Sequence, residues 1–128
     1  MADIVSGGRM ALGVGAGYRR EEFDALGVPY DERLPRLREG IALLRRLWGD
    51  ERVRHDGPHW RFPEVTLHLQ PLRGQCPSWV GANSPAAVRV AGALGDAWIT
   101  DPTASLERLQ ELAAIYRAAR RDAGHVDS

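Results

Sequence analysis

The stretch RMALGVGAGYRREEF, residues 9–23, decides how this sequence folds. It places Gly13, Gly15 and Gly17 alternately in an apolar run, and a charged segment follows. The apolar part, residues 10–16, predicts a short buried strand, because small and apolar residues occupy both of its faces. Glycines at this density indicate a strand that packs so closely against its neighbours that side chains do not fit.

The same glycines form neither of two common phosphate-binding loops. The dinucleotide fingerprint needs a glycine at the position of Tyr18, and the nucleoside-triphosphate loop needs a lysine that this stretch lacks. Neither a Rossmann nor a Walker loop is therefore predicted. The charged segment at residues 18–27 predicts a short helix or a loop.

The strongest helix pattern spans residues 31–50. Its apolar side chains recur every three or four positions and share one face, which needs a sheet or another helix to cover it. Gly49 follows as a stop signal. The predicted face consists of Leu34, Leu37, Ile41, Leu44 and Trp48.

Beyond this helix, a hairpin and two strand–helix pairs are predicted. The hairpin covers residues 52–62 and turns at residues 56–58, an Asp-Gly-Pro sequence. The strands cover residues 76–83 and 97–100, and the helices cover residues 84–95 and 105–124. Strands that alternate with helices predict an α/β architecture with parallel strands, either an open doubly wound sheet or a piece of a (β/α) barrel.

The two later helices carry recognisable end signals. Ser84 suits the N-cap of the first, Pro85 its first helical position and Gly95 the residue after its end. The second helix has Thr103 or Ser105 as its N-cap. Its predicted buried face consists of Leu106, Leu109, Ala113 and Tyr116, and its stop signal is Gly124.

Four polar residues are candidates for a chemical role. His55 and His59 have a spacing that holds metal ions on a helix, but a Gly-Pro pair between them forbids a helix and no third ligand is evident. Both are interpreted as ordinary hairpin histidines, and no metal site is predicted. His68 is expected to pack under the hairpin, and Asp96 to turn or cap the chain locally. No residue is assigned as a catalytic acid or base.

The composition excludes several classes of function. A chain of 128 residues suffices for one domain with a core and not for two. Its 17 Lys plus Arg balance 17 Asp plus Glu, so no general attraction to nucleic acid or to an anionic membrane is expected. No apolar run approaches the roughly 20 residues of a membrane helix, and no secretory signal is recognised. The lone Cys76 excludes an internal disulfide and is expected to be buried, and the protein is expected in the cytoplasm.

The order of these motifs resembles the bacterial luciferase-like monooxygenase family. The matching pieces are residues 6–48, from Ser-Gly-Gly-Arg to Leu-Trp, the Asp-Gly-Pro-His-Trp hairpin, and residues 71–100, which include Gly-Ala-Asn-Ser and Gly-Asp-Ala-Trp. The resemblance covers about residues 4–123. It implies a flavin- or deazaflavin-dependent oxidoreductase on a (β/α)8 barrel.

The resemblance also implies that the barrel is partial. Residues 1–128 are expected to form a single luciferase-like domain of about three strand–helix units, from near the family's fourth strand to about its sixth helix. A full TIM-type barrel needs about 250 residues. A slice leaves two open sheet edges, so the isolated chain is expected to be marginally stable or to associate, as a homo-oligomer or with the remainder of a barrel.

In such barrels the active site lies at the carboxyl ends of the strands, which here means the loops at residues 15–18, 81–84 and 100–102. The free amides at the start of the helix after Ser84 suit a phosphate, although an ordinary helix start is the alternative. The resemblance implies that this loop contacts the cofactor phosphate. The implied cofactor-binding residues are Gly15, Ala16, Gly17, Gly81, Ala82, Asn83, Ser84 and Ala87.

The implied function is a fragment of an oxidoreductase or monooxygenase that uses reduced FMN or a deazaflavin coenzyme on a small organic substrate. Ala16 stands where flavin-dependent relatives can carry an arginine that pairs with the phosphate, which leaves the deazaflavin coenzyme open. Catalytic side chains from the first strands would be missing, so the isolated chain is not expected to convert substrate by itself. A non-catalytic association module and an open-sheet α/β nucleotide-binding module remain alternatives.

Overall fold

The structure, a computed structural model, describes residues 1–125. Its strands are β1 (Leu12–Gly15), β2 (Val53–Asp56), β3 (Arg61–Val65), β4 (Ser78–Gly81) and β5 (Ala97–Ile99). Its α-helices are α1 (Ala2–Val5), α2 (Arg20–Leu26), α3 (Arg33–Gly49), α4 (Pro85–Leu94) and α5 (Leu106–Asp122). The first strand is shorter than the predicted residues 10–16, and α1 was not predicted.

Strands β1, β4 and β5 form one parallel sheet in that order. The register pairs Gly15 with Gly81 and Gly81 with Ile99, so the three strands end at one edge. Because the strands are parallel, the loops that leave them are neighbours in space. The prediction of parallel strands joined through helices is confirmed.

The helices cover one face of this sheet. Val14, Val80 and Trp98 lie in register on that face and pack in the core with residues of α3, α4 and α5. On the other face Trp79 is 47% exposed and Ile99 is 45% exposed. A doubly wound sheet has helices on both faces, so this arrangement is that of a barrel wall.

The hairpin is the antiparallel pair β2–β3, in which Asp56 pairs with Arg61. Its turn falls at residues 57–60, close to the predicted Asp-Gly-Pro sequence. Val53 is buried at 1% exposure, whereas His68, which follows the hairpin, is exposed. The expectation that His68 packs under the hairpin is therefore wrong.

Two predicted helix faces need correction. In α3 Ile41 is buried as predicted, but Leu43 is buried as well. In α5 the fully buried residue is Leu112, while Leu106, the first residue of the helix, is 71% exposed. Gly49 is the last residue of α3 rather than the residue after it.

The helix caps largely follow the prediction. Ser84 caps α4 and Pro85 is its first residue, and Ser105 rather than Thr103 caps α5. Gly95 follows α4 in an extended conformation. Within residues 1–125, no helix combines the length and apolar character needed to cross a bilayer.

Candidate cofactor site

The first loop of the candidate site leaves β1 through Gly15, Ala16 and Gly17. A Cβ at Gly15 would lie 3.4 Å from the carbonyl oxygen of Gly81, so the two strand ends are in close contact. Gly17 has φ of +78°, and a Cβ there would lie 2.9 Å from the ring of Phe23. Gly17 is therefore required by its backbone conformation and by its packing against α2.

The second loop leaves β4 and enters α4 directly. The Ser84 hydroxyl accepts a hydrogen bond from the Ala87 amide at 3.3 Å. Pro85 has no N–H, and in the described part of the chain no acceptor is found for the amide of Ala86, which is an exposed residue. The predicted amide cluster is thus capped at Ala87 by the chain itself and open at Ala86. The Ser84 hydroxyl retains its proton for a second partner, because a hydroxyl both donates and accepts.

Ala82 and Asn83 connect the second loop to the third. Ala82 is buried, its amide donates to the Ile99 carbonyl at 3.0 Å, and its carbonyl accepts from Nε1 of Trp98 at 2.8 Å. The Asn83 side chain is exposed, and its Oδ1 accepts from the Asp101 amide at 2.9 Å. Both polar groups of the Ala82 backbone are therefore engaged within the protein, and Asn83 fixes the spacing between two strand ends.

The third loop places a carboxylate at the same edge. The Asp101 Oδ1 accepts from the hydroxyl of Thr103 at 2.7 Å and from its amide at 2.8 Å. These two hydrogen bonds lower the pKa of Asp101 below its usual range. The side chain is therefore ionised at neutral pH and is held by its own loop.

A cavity of about 330 Å³ adjoins the first loop. It lies between β1 and α3, and apolar side chains dominate its lining, with Arg33 and Arg36 beside them. Arg33 stacks on the Tyr30 ring with its guanidinium carbon 3.9 Å from the ring centre, and Arg36 pairs with Glu32 at 2.7 Å. The residues lining the cavity include Val14, Gly15, Ala16, Phe23, Leu37, Ile41, Leu44 and Trp60.

The two hairpin histidines contact Glu39 of α3. The Glu39 Oε1 lies 2.7 Å from Nε2 of His55, and its Oε2 lies 3.9 Å from Nε2 of His59. Within residues 1–125, no three His, Cys, Asp or Glu side chains are arranged to hold a metal ion. Both histidines therefore lie in the hairpin as interpreted from the sequence, and in addition both lie beside the carboxylate of Glu39 in α3.

At the other end of the sheet, where β4 and β5 begin, Asp96 links the two strands to α3. Its Oδ2 accepts from the Ser78 amide at 2.7 Å, and its Oδ1 accepts from Nη2 of Arg45 at 3.1 Å. Asp96 thus joins α3, β4 and β5 rather than acting only locally. Cys76 is buried nearby, as predicted, and burial raises the pKa of its thiol.

A sequence profile of the luciferase-like monooxygenases matches residues 1–128. The chain belongs to the luciferase-like monooxygenase family. The resemblance inferred from the motif order is confirmed by this match.

Individual luciferase-like proteins support the assignment. The F420-dependent glucose-6-phosphate dehydrogenase of Segniliparus rotundus is 36% identical over an alignment of 129 residues. The alignment covers 94% of this chain and 38% of that protein. Monooxygenase RslO1 from Streptomyces bottropensis superposes with a TM-score of 0.84 at 31% identity, over 98% of this chain and 39% of that one.

A third comparison shows the fold alone. The FMN complex of the oxygenating constituent of 3,6-diketocamphane monooxygenase from Pseudomonas putida has a TM-score of 0.78 at 22% identity, over 98% of this chain and 39% of that one. The chain spans 38–39% of the length of each of these three proteins. The predicted fold class, a partial (β/α)8 TIM-type barrel with parallel strands and a hairpin insertion, is confirmed.

In this luciferase-like chain, sequence reasoning missed two residues near the strand-end edge, which is the end of the sheet where β1, β4 and β5 finish at Gly15, Gly81 and Ile99. Arg108 reaches back from the first turn of α5, and its Nη2 lies 3.5 Å from the Asn83 carbonyl oxygen. Trp60 comes from the hairpin and lines the cavity beside Ala16. The signal for Arg108 was its position three residues after the Ser105 cap, which places it at the strand-end edge. No local signal in the sequence points to Trp60.

Proposed function

We propose that the chain provides the cofactor-binding wall of a luciferase-like oxidoreductase that uses reduced FMN or the deazaflavin coenzyme F420 on a small organic substrate. The observation that carries this proposal is the strand-end edge itself. Gly15 and Gly81 lie side by side without side chains, and α4 begins directly after them with an open amide at Ala86.

The residues at this edge fit an anionic cofactor. The Ala86 amide, the Ser84 hydroxyl proton and the positive end of the α4 dipole would hold a phosphate group. Gly15, Ala16 and Gly17 from the first loop, and Gly81 and Asn83 from the second, would shape the surrounding surface, whereas Ala82 and Ala87 are buried and would support that surface from beneath. The bound cofactor would supply the redox chemistry, and these residues would bind and orient it.

The relatives favour F420 as the first cofactor to test. The Segniliparus rotundus relative is named as F420-dependent, and Ala16 provides no cation for a flavin phosphate. FMN remains the second candidate, because the Pseudomonas putida structure contains it. The substrate of the whole protein is proposed as a small organic molecule.

The proposal is tested by titrating F420 and FMN against the wild-type chain and two cap variants. Ser84→Ala and Ser105→Ala each remove one N-cap hydroxyl and are expected to cost similar stability, about 1 kcal/mol. Only Ser84→Ala should weaken binding, by roughly 10- to 100-fold, because a hydrogen bond to a charged group contributes about 1.5–3 kcal/mol. Equal affinities for the two variants would remove Ser84 from the site.

Two further expectations follow from the same proposal. We propose self-association, or association with the remainder of a barrel, as the way in which the bare sheet face is covered. A folded oligomer that binds neither cofactor would instead favour the association module. A cytoplasmic location also remains a prediction, which fractionation of expressing cells would test.

A further inference from the structure

We propose that Glu39 is a positioning residue that fixes the hairpin turn, so that Trp60 forms part of the wall of the cavity that Gly15 and Ala16 also line. The inference rests on the proposed function, because that cavity adjoins the first loop of the candidate cofactor site. The ligand group expected there is a flat, mostly apolar part of a molecule held at the strand ends. Such a group suits a cavity of about 330 Å³ with an apolar lining.

The carboxylate of Glu39 is the principal polar anchor of the turn. Its Oε1 accepts from Nε2 of His55 at 2.7 Å and from the Trp60 amide at 3.3 Å, and its Oε2 accepts from the His59 amide at 3.1 Å. The Glu39 side chain is only 11% exposed. Three donors from the hairpin, one in β2 and two in the turn, thus converge on one side chain of α3, and hydrogen bonds to a charged acceptor are the stronger kind.

The surrounding side chains fix how His55 meets this carboxylate. Nδ1 of His55 lies 3.5 Å from Nη1 of Arg46, and a guanidinium can only donate. Nδ1 therefore accepts a hydrogen bond from Arg46, and Nε2 carries the N–H that donates to Glu39. This tautomer is assigned from the hydrogen-bond partners. His59 has a second acidic neighbour, because its Nδ1 lies 3.4 Å from Oε2 of Glu32.

The anchor controls the position of Trp60 directly. The Trp60 amide is one of the three donors, so its backbone cannot move without breaking that bond. The indole then lies across α3, where a Cβ at Gly40 would be 3.4 Å from the ring. From there the ring lines the same cavity as Val14, Gly15 and Ala16.

Hydrogen exchange tests the anchor without any cofactor. In Glu39→Ala the amides of His59 and Trp60 should exchange at least about tenfold faster than in the wild type, while those of β4 are unchanged. Glu39→Gln keeps an acceptor oxygen and should give an intermediate rate. The matched control is Glu64→Ala, which removes an exposed hairpin carboxylate paired with Arg52. Unchanged exchange in Glu39→Ala would overturn the proposal.

A double-mutant cycle tests the coupling to the cavity. With F420 and FMN as probes, Glu39→Ala and Trp60→Ala should each weaken binding by about 3- to 10-fold, and the double variant no more than Trp60→Ala alone. Additive losses would show a merely structural effect of Glu39 and overturn its positioning role, as would unchanged affinity in either single variant. If the wild type binds neither probe, the proposed function fails and the coupling to a ligand fails with it, whereas the exchange result still decides the anchor.

Discussion

Gly57 lies against the carboxylate of Glu39 and the ring of His55. A Cβ at this position would overlap the Glu39 Oε1 and contact Nε2 of His55. Gly57→Ala is therefore expected to displace the turn and to cost about 1–3 kcal/mol of unfolding free energy, the usual range for overpacking.

Chemical denaturation measures this loss, and Gly13→Ala is the control. A Cβ at Gly13 would meet no atom within 4 Å, so that variant should be close to neutral. Equal stabilities of the two variants would contradict the close packing at the turn.

The pKa of Glu39 gives the hairpin a defined response to acid. Partial burial acts to raise this pKa, but hydrogen bonds from His55 and from the amides of Trp60 and His59 outweigh it and hold the pKa below its usual range. A carboxyl group with a lowered pKa stabilises the folded state above its unfolded pKa, about 4.3 for Glu, and loses that contribution as pH falls through the folded value.

The turn should therefore stay anchored at neutral pH and be released only as the pH falls below the unfolded pKa of Glu and through the lowered folded value, where Glu39 becomes protonated. Amide chemical shifts of His59 and Trp60 would report this transition, and Glu39→Gln should not show it. The pKa of Asp101 is also lowered, so the pH dependence of global unfolding would contain contributions from both carboxyl groups. The amide signals of the turn are needed to separate them. A turn transition that persists in Glu39→Gln would assign it to another group.

Helices α4 and α5 approach each other closely at Gly92. A Cβ there would lie 2.6 Å from the Tyr116 carbonyl oxygen and 2.8 Å from the Ala119 Cβ. Gly92→Ala is expected to push the helices apart and to lower the unfolding free energy by about 1–3 kcal/mol, although alanine is the better helix former.

Gly40→Ala is the matched control within a helix. Its Cβ would lie 3.4 Å from the Trp60 ring, at the limit of ordinary van der Waals contact, so the gain in helix propensity, about 0.5–1 kcal/mol, should prevail. Opposite signs for the two variants in thermal unfolding are the expected result. Two losses of equal size would mean that the Trp60 ring resists a Cβ at Gly40 as strongly as α5 resists one at Gly92, and two gains would contradict the close approach of α4 and α5.

At the scale of elements, local signals predicted more than periodicity did. Ser84 and Ser105 were recognised as caps because capping needs only neighbouring residues. Leu43 was missed because α3 contacts both α4 and β2, and Leu43 lies about 200° around the helix from Ile41. A search for one apolar stripe finds only one of two buried sides.

The candidate site shows the same division. The three strand-end loops were predicted from the order of strands and helices together with the resemblance to luciferase-like barrels, and that resemblance implied Gly15 and Gly81 as site residues. The roles of Glu39 and Trp60 were not, because the hairpin returns to a helix about 20 positions earlier and no local pattern encodes that contact. Predicting it requires the tertiary packing itself.

At the scale of the whole molecule, the barrel wall is covered on one side only. Trp79 and Ile99 are about half exposed on the inner face, and within residues 1–125 the outer edges of β1 and β5 have no strand partner. Unpaired strand edges and an apolar face favour pairing with another chain. The isolated chain is therefore expected to associate as its concentration rises, or to unfold below the 45–65 °C usual for small mesophilic domains.

Size-exclusion chromatography combined with thermal unfolding checks this expectation. Replacing the two inner-face side chains, Trp79→Thr with Ile99→Thr, should reduce association, because it removes the apolar surface that a partner would cover. Leu106→Thr is the control, since Leu106 is equally apolar and more exposed but lies on the helical side. A compact wild-type monomer with one sharp transition at high temperature would show that the bare face needs no cover.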